Sequence, residues 1–168
     1  MTSLSLRLLP AALLALAART AGAQRPIDLP PNAPADQPKT VSATCLLDAM
    51  HQAMAPYVAQ AQASYPAARE RFRAGLPHGY TFFVTTRLHD AAGHEEQTFV
   101  VVDSIANGMI AGRIASPINV VRDFRYGQPY TFSEAELVDW MVSRPDGSEE
   151  GNVVGKFLDS YTPPRSCT

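Results

Sequence analysis

The stretch YTFFVTTRL, residues 80–88, marks the point at which the chain changes from a helical pattern to a strand pattern. It is rich in aromatic and β-branched side chains, which favour extended backbone. A turn at residues 90–93 (DAAG) and a second strand pattern over residues 96–105 follow, so the two strands form a predicted β-hairpin. Asn107-Gly108 suits a tight type I′ turn and predicts another hairpin, whose third strand covers residues 109–115.

The strand pattern continues downstream of these hairpins. It predicts three more strands, at residues 126–132, 138–143 and 152–159. One helical turn is predicted at residues 133–136, with Ser133 as its cap. The second half of the chain therefore reads as a sheet built from hairpins.

The segment before the first strand, residues 40–75, is predicted to be helical because its apolar residues recur near helical spacing. Pro56 predicts a kink, a break or a helix start, Pro66 suits the first turn of a second helix, and Gly75 suits its end. Helices first and strands after predict an α+β domain. We expect the N-terminal helices to pack on an antiparallel sheet of about five to six strands.

The first 23 residues have the pattern of a signal peptide. Arg7 supplies positive charge, residues 8–18 are largely apolar, and Ala21-Gly22-Ala23 fits the cleavage rule, which predicts a mature chain from Gln24. A retained membrane anchor is the alternative. The apolar run argues against it, because the run is too short for a helix that spans a bilayer core of about 30 Å. We expect an exported protein, periplasmic or secreted, without a membrane span in the mature chain.

Residues 24–41 contain five prolines and cannot form a regular helix or strand. We expect three parts: a signal peptide at residues 1–23, a proline-rich disordered leader at residues 24–41, and a single domain at residues 42–168. A spacer and a cleaved or merely disordered tail are both open for the leader.

The charge of the expected mature chain argues against a nucleic-acid partner. Loss of Arg7 and Arg19 leaves twelve basic against sixteen acidic residues, a net charge of about −4. No basic patch stands out, and nucleic-acid binding depends on such a patch.

Cys45 and Cys167 are the two cysteines of the chain. In an oxidising compartment such a pair predicts a disulfide, and two free thiols are the alternative. The bridge would close a loop of about 120 residues, worth roughly 4 to 5 kcal/mol by loop entropy.

An ordered set of features runs through residues 55–161. An alanine-rich helical segment ends in a phenylalanine, and a hairpin carries a glutamate and then an aromatic. A Gly-x-Ile before a proline, a Gly-polar pair, an Asp-Trp pair and a glycine in the last predicted strand follow. In this chain the features are Phe72, Glu96, Phe99, Gly112, Ile114, Pro117, Gly127, Gln128, Asp139, Trp140, Gly155 and Phe157.

This order of features resembles the bacterial family called domain of unknown function 2314, the YegJ-like proteins. The family often has tryptophan where this chain has Phe99, asparagine where it has Ser116, and threonine near Leu158. The resemblance implies a fold class, and export in many members, but no established activity. Glu96, Gly127 and Gly155 are accordingly candidates for functional or structural-motif positions, together with the Asp-Trp pair.

The Asp-Trp pair, Asp139 and Trp140, is the first candidate for a site, because it puts the only tryptophan beside an acid in an apolar run. An acid in such a setting can have a raised pKa and act as a general acid or base. The alternative is a structural acceptor of backbone N–H groups. We expect the structural role for Asp139 and a core position for Trp140, with an exposed stacking platform as the alternative for the ring.

A metal site is not expected. His89 and His94 flank the first hairpin turn and could approach each other near a carboxylate. However, the spacing is not that of a helical zinc motif, and turn ends are usually solvated. Adjacent Glu95 and Glu96 point to opposite faces of a strand and cannot act as one carboxylate pair.

No cofactor is expected either, because glycine-rich nucleotide loops and a serine nucleophile motif are missing from the sequence. Arg122, Arg125 and Tyr126 lie in a segment rich in aromatics, with Arg113 nearby, and are candidates for an anion- or partner-binding edge. A solvated face is the alternative.

These observations predict an exported, non-catalytic protein that binds a protein or a cell-envelope component, with an inhibitor- or immunity-like role as one form. The competing hypothesis is a cell-envelope hydrolase that uses Asp139 or Glu96 as its general base.

Overall fold

A computed structural model describes residues 44–164 of the chain. The predictions for the signal peptide, the leader and Cys167 therefore lie outside the described residues. The elements in chain order are α1 (Thr44–Ala74), β1 (Thr81–His89), β2 (Glu95–Ala106), β3 (Met109–Ile114), β4 (Pro129–Ser133), a 3₁₀ turn (Glu134–Glu136), β5 (Asp139–Ser143), β6 (Glu149–Gly151) and α2 (Val153–Ser160).

The six strands form one antiparallel sheet in the order β4-β3-β2-β1-β5-β6. This confirms the predicted α+β class. The hairpin at Asn107-Gly108 is confirmed as well: both residues have positive φ, 52° and 74°, as a type I′ turn requires. Ser133 caps the 3₁₀ turn by accepting the Ala135 N–H, as predicted.

The prediction of two N-terminal helices is wrong, because α1 continues through both Pro56 and Pro66. Both prolines lie on the exposed side of α1, where water can satisfy the carbonyls that lose their helical partner. The buried side is unbroken: Met54, Ala61 and Ala68 recur every seven residues. Packing of this stripe outweighs the local cost of the prolines. Gly75, with φ of 97°, ends the helix as predicted.

The prediction of a last strand at residues 152–159 is also wrong. The strand β6 has only three residues, and the helix α2 follows it. Gly151 and Asn152 both have positive φ, 80° and 55°, which turns the chain out of the sheet. Val154 and Phe157 then contact α1, and the Phe157 ring stacks on Tyr57 with centroids 4.3 Å apart. The β-branched pair Val153-Val154 suggested a strand, but burial against α1 decides for a helix.

Three apolar clusters hold the described residues together. The largest joins Ala61, Tyr65 and Ala68 of α1 to side chains of the sheet, including Trp140. The second joins α1 to α2 through Met54, Val138 and Val154, and the third lies beneath the chain between β3 and β4. None of the helices in residues 44–164 is long and apolar enough to span a membrane.

Candidate functional site

The candidate residues fall into two separate regions. The first, called here the α2 junction, consists of Asp139, Trp140, Gly151, Asn152 and Gly155. The second is the β3–β4 loop, residues 115–128, together with the two carboxylates that hold it, those of Asp90 and Glu96.

The Asp139 carboxylate ties the start of β5 to the start of α2. Its Oδ1 accepts the backbone N–H of Trp140 at 2.8 Å, and its Oδ2 accepts that of Val154 at 2.7 Å. Val154 lies in the first turn of α2, where N–H groups have no partner within the helix. The residue that precedes α2, Asn152, makes no capping hydrogen bond with its side chain. Asp139 therefore caps α2 from a neighbouring strand.

Burial governs the charge of Asp139, which is 1% exposed. Burial raises the pKa of its carboxyl to about 6, although the backbone N–H groups of Val154, Trp140 and Gly155 act in the opposite direction. The value suits proton transfer near neutral pH. The geometry suits it less, because both oxygens already accept backbone donors and almost no carboxylate surface reaches solvent.

The two glycines of the α2 junction are places where a side chain would not fit. A Cβ on Gly151 would lie 2.3 Å from the Trp140 carbonyl oxygen, and its φ is +80°. A Cβ on Gly155 would lie 2.1 Å from Oδ1 of Asn152. The Asn152 side chain is fixed there because its Nδ2 donates to Glu149 Oε2 at 2.8 Å. Close contact across both glycines packs α2 tightly against the end of the sheet.

Trp140 anchors the same junction to α1. The residue is 7% exposed and belongs to the main apolar cluster, and its Nε1 donates to Ser64 Oγ at 2.9 Å. The ring therefore occupies the core position that we expected, and it does not present a face to solvent for stacking.

Glu96 organises the β3–β4 loop. Its carboxylate accepts the backbone N–H groups of three consecutive residues, Asn119, Val120 and Val121, at 2.7 to 3.1 Å. Such a row of N–H groups forms a concave anion site, which the glutamate of this chain fills. Glu95, the preceding residue, contacts His51 and Arg87 instead. The two glutamates thus serve different contacts, as the strand alternation predicted.

Asp90, in the turn between β1 and β2, provides a second fixed point for the loop. Its Oδ2 accepts the Arg122 N–H at 3.1 Å and contacts His94 Nδ1 at 2.8 Å, while Oδ1 accepts the N–H groups of Ala92 and His94. The His94 hydrogen bond and these backbone donors hold the pKa of the Asp90 carboxyl well below its usual range. The turn and the loop therefore form one connected unit.

The base of the loop is closed by backbone pairing. Gly127, with φ of 81°, donates its N–H to the Ile114 carbonyl at 2.8 Å, and Ile114 N–H donates to the Gln128 carbonyl at 3.0 Å. Buried Ser116 accepts the Phe99 N–H at 3.0 Å. The conformation of Gly127 explains its place in the sequence pattern, since positive φ favours glycine.

The loop has an apolar inner side and a polar outer side. Ile118, Val121 and Phe124 pack onto Leu88 and Ile114 of the sheet. The outer side chains are exposed, namely Asn119, Val120, Arg122, Asp123, Arg125 and Tyr126. The predicted partner edge, Arg122, Arg125 and Tyr126, is thus brought together on one surface loop, whereas Arg113 lies on β3 and pairs with Asp103 at 3.3 Å.

The histidines near the hairpin turn each meet a carboxylate. His94 pairs with Asp90 at 2.8 Å, while His51 and His89 approach Glu95 at 2.8 and 3.9 Å. Within residues 44–164, no group of three or more His, Cys, Asp or Glu side chains is placed to hold a metal ion.

An open groove of about 370 Å³ lies at the end of α1, between Tyr80 and Arg144. Its two arginines, Arg71 and Arg144, both pair with Glu150. The charged residues of the groove therefore leave a net charge of +1, since two guanidinium groups share one carboxylate.

Sequence reasoning missed Asp90, Gly151 and Asn152. Asp90 was assigned only to a turn, and the contact with Arg122 joins residues 32 positions apart. A Gly-Asn pair before an apolar segment was the available signal at 151–152, since both residues tolerate positive φ. Cys45 lies in the first turn of α1, and the predicted bridge to Cys167 stays a prediction because Cys167 is outside the described residues.

Comparison with known proteins gives one informative similarity. The chain is 28% identical over 81 residues to the uncharacterised protein YegJ of Escherichia coli (strain K12), a match that covers 48% of this chain and 52% of YegJ. The match thus spans about half the length of this curated relative. No family model matches the chain, and no solved structure matches it. The chain is therefore similar to a YegJ-type protein whose own activity is not described.

Proposed function

We propose that this protein is an exported, non-catalytic binding protein of the cell envelope that contacts its partner through the β3–β4 loop. The proposal depends on one contrast: the two candidate general bases are occupied by contacts within the chain, whereas the candidate partner-binding side chains of the loop are exposed. Asp139 and Glu96 are both engaged by backbone donors, while Arg122, Arg125 and Tyr126 are presented to solvent.

The engagement of the two acids supports binding over hydrolysis. A general base must come within hydrogen-bond reach of the substrate or of an attacking water. Asp139 is 1% exposed, and each of its oxygens accepts a backbone N–H. Glu96 holds three backbone N–H groups, so its use as a base would release the loop. The hydrolase alternative keeps one favourable observation, the raised pKa of Asp139.

The construction of the loop supports a binding role. Binding residues are often carried by loops that a rigid scaffold positions. This loop is anchored by Glu96, by Asp90 and by an apolar inner side. The backbone that carries its outer side chains is therefore already fixed before a partner binds. A fixed backbone reduces the entropy lost when a partner binds.

The remaining parts of the proposal rest on sequence. We propose membership in the family called domain of unknown function 2314 on the ordered features, and the similarity to YegJ supports a YegJ-like relationship. Export follows from the signal-peptide pattern, and an oxidising compartment would allow the Cys45–Cys167 bridge. Ala61, Tyr65 and Ala68 of α1 pack in one apolar cluster with side chains of the sheet, which fits a single domain. An inhibitor- or immunity-like role is one form of this function.

The test is capture from an envelope extract with the purified, oxidised chain as bait. The variant Arg122→Ser/Arg125→Ser removes two exposed charges from the loop. The control Arg73→Ser/Arg113→Ser removes the same charge from exposed sites elsewhere. The proposal predicts a partner that the control retains and the loop variant loses. A partner held equally by both variants, or turnover of an envelope substrate that Asp139→Asn abolishes, would contradict it.

A further inference from the structure

The arginines of the described residues divide into two groups. Six of them have a carboxylate oxygen at 2.5 to 3.5 Å, namely Arg69, Arg71, Arg73, Arg87, Arg113 and Arg144. The other two are Arg122 and Arg125, and no carboxylate of residues 44–164 forms an ion pair with either. Both belong to the β3–β4 loop. Among residues 44–164, the guanidinium groups without a carboxylate partner are therefore concentrated in one loop.

We infer that the β3–β4 loop is a binding surface for an acidic segment of a partner protein, with Arg122 and Arg125 pairing with its carboxylates. This inference rests on the proposed function and names the chemistry of the partner. Guanidinium groups match carboxylates with paired, charge-assisted hydrogen bonds. The chain as a whole has a net charge of −2, so these two cations stand out against an acidic background.

The backbone at both arginines is fixed independently of their side chains. The Arg122 N–H donates to Asp90 Oδ2 at 3.1 Å, and the Arg125 N–H donates to Gln128 Oε1 at 3.2 Å. Phe124, between them, packs inward against Tyr130. The two guanidinium groups are thus attached to an ordered loop rather than to a chain that must first be ordered.

The neighbouring side chains favour a protein partner. Val120 and Tyr126 are two of the three exposed large hydrophobic residues of the described chain, at 37% and 38%, and both lie on this loop. Tyrosine and arginine are enriched at the centres of protein interfaces. An anionic membrane is typically recognised by four to eight clustered cations. Here Asp123 lies between the only two, so residues 115–128 carry a net charge of +1, and the Asp90 and Glu96 carboxylates that hold the loop bring the region to −1.

The test uses acetylated hexaglutamate as the probe and the ¹⁵N-labelled, oxidised protein as the receptor. We expect chemical-shift changes confined to residues 119–126 and suppressed by added salt. Arg122→Ser/Arg125→Ser should weaken binding about three- to tenfold, as expected for two exposed ion pairs. The control Arg73→Ser/Arg113→Ser should bind as the wild type does.

Three results would overturn the inference. One is a set of shifts spread over the paired arginines, and another is undiminished binding by the loop variant. The third is a stronger, loop-dependent response to phosphatidylglycerol vesicles than to hexaglutamate, which would assign the surface to a membrane. If hexaglutamate fails but the captured envelope partner still depends on Arg122 and Arg125, the acidic-segment inference falls and the proposed function stands. If the partner is held without these arginines, the proposed function falls by itself.

Discussion

The α2 junction and the β3–β4 loop are built with the same device, a carboxylate that accepts backbone N–H groups from a distant part of the chain. At the α2 junction the carboxylate is Asp139, 1% exposed, and it joins β5 to the first turn of α2. At the loop the carboxylates are Asp90 and Glu96, and the N–H groups they hold belong to a surface segment.

The environment gives the same contact two different consequences. Burial raises the pKa of Asp139 to about 6, so ionisation of this carboxyl lowers the stability of the folded protein. His94 and the surrounding N–H groups lower the pKa of Asp90, so its ionised form is favoured. We therefore assign the α2 junction to stability and the loop to presentation of side chains. The predictions below separate these two roles.

The largest expected effect is at Gly151. Gly151→Ala combines a positive φ with a Cβ only 2.3 Å from the Trp140 carbonyl oxygen, which is backbone and cannot easily move. We expect a loss of roughly 3 kcal/mol or more in unfolding free energy, measured by urea denaturation. Gly147→Ala is the control, because its φ is +82° and its Cβ would meet nothing within 4 Å. Equal losses in the two variants would mean that the α2 junction is not tightly packed.

Removal of the Asp139 carboxylate should have the next largest effect. Asp139→Ala leaves the buried N–H groups of Trp140 and Val154 without their acceptor, at a cost of about 1 to 3 kcal/mol. Asp139→Asn keeps one acceptor oxygen and should lose less. Thermal melts check the order of the two variants, with roughly 3 to 5 °C expected per kcal/mol for a domain of this size. A melting temperature unchanged in Asp139→Ala would contradict the capping role.

The pH dependence of Asp139 gives a smaller effect with a defined sign. Its folded pKa of about 6 lies above the usual value of 3.8, so the group's contribution to stability is present below about pH 4 and is lost as pH rises through 6. The wild type should therefore lose about 2 kcal/mol relative to Asp139→Asn between pH 4 and pH 7.5. Asp90, whose pKa is lowered, loses its stabilisation only as pH falls below that window. If the stabilities of the wild type and of Asp139→Asn changed in parallel with pH, burial would not be the dominant influence on the pKa of Asp139.

Glu96 should show the smallest effect on global stability and a clear local one. Glu96→Gln weakens the hold on Asn119, Val120 and Val121 at the surface. We expect melting within about 2 °C of the wild type, but amide hydrogen exchange about tenfold faster at these three residues. Glu70→Gln, an exposed change on α1, is the control. Unaltered exchange in the loop would show that its apolar inner side alone fixes it.

Local signals were sufficient for much of the fold. The hairpin at Asn107-Gly108, the cap at Ser133 and the end of α1 at Gly75 each depend on residues within one turn. The continuity of α1 through Pro56 and Pro66 was not predictable in this way, because it depends on packing against the sheet and α2. Packing against α1 also favours a helix at residues 153–160, where the sequence pattern predicts a strand.

The candidate site, like the fold, was predicted only where local sequence signals were sufficient. The exposed group Arg122, Arg125 and Tyr126 could be selected from its composition. A structural acceptor role for Asp139 was predicted, but its partner Val154, 15 positions further along the chain, was not. The role of Glu96 was not predicted, because its partners lie 23 to 25 positions further along the chain. Contacts of this kind depend on topology, which residue patterns alone do not specify.

The most direct test of the division of roles measures stability and partner capture on the same two variants. Asp139→Ala should melt at a lower temperature than the wild type and, assayed in the cold where it is folded, should retain the envelope partner. Arg122→Ser/Arg125→Ser should melt as the wild type does, because these side chains form no ion pair within residues 44–164, and should lose the partner. The reverse pattern, with the partner lost in folded Asp139→Ala and kept by the arginine variant, would contradict the account.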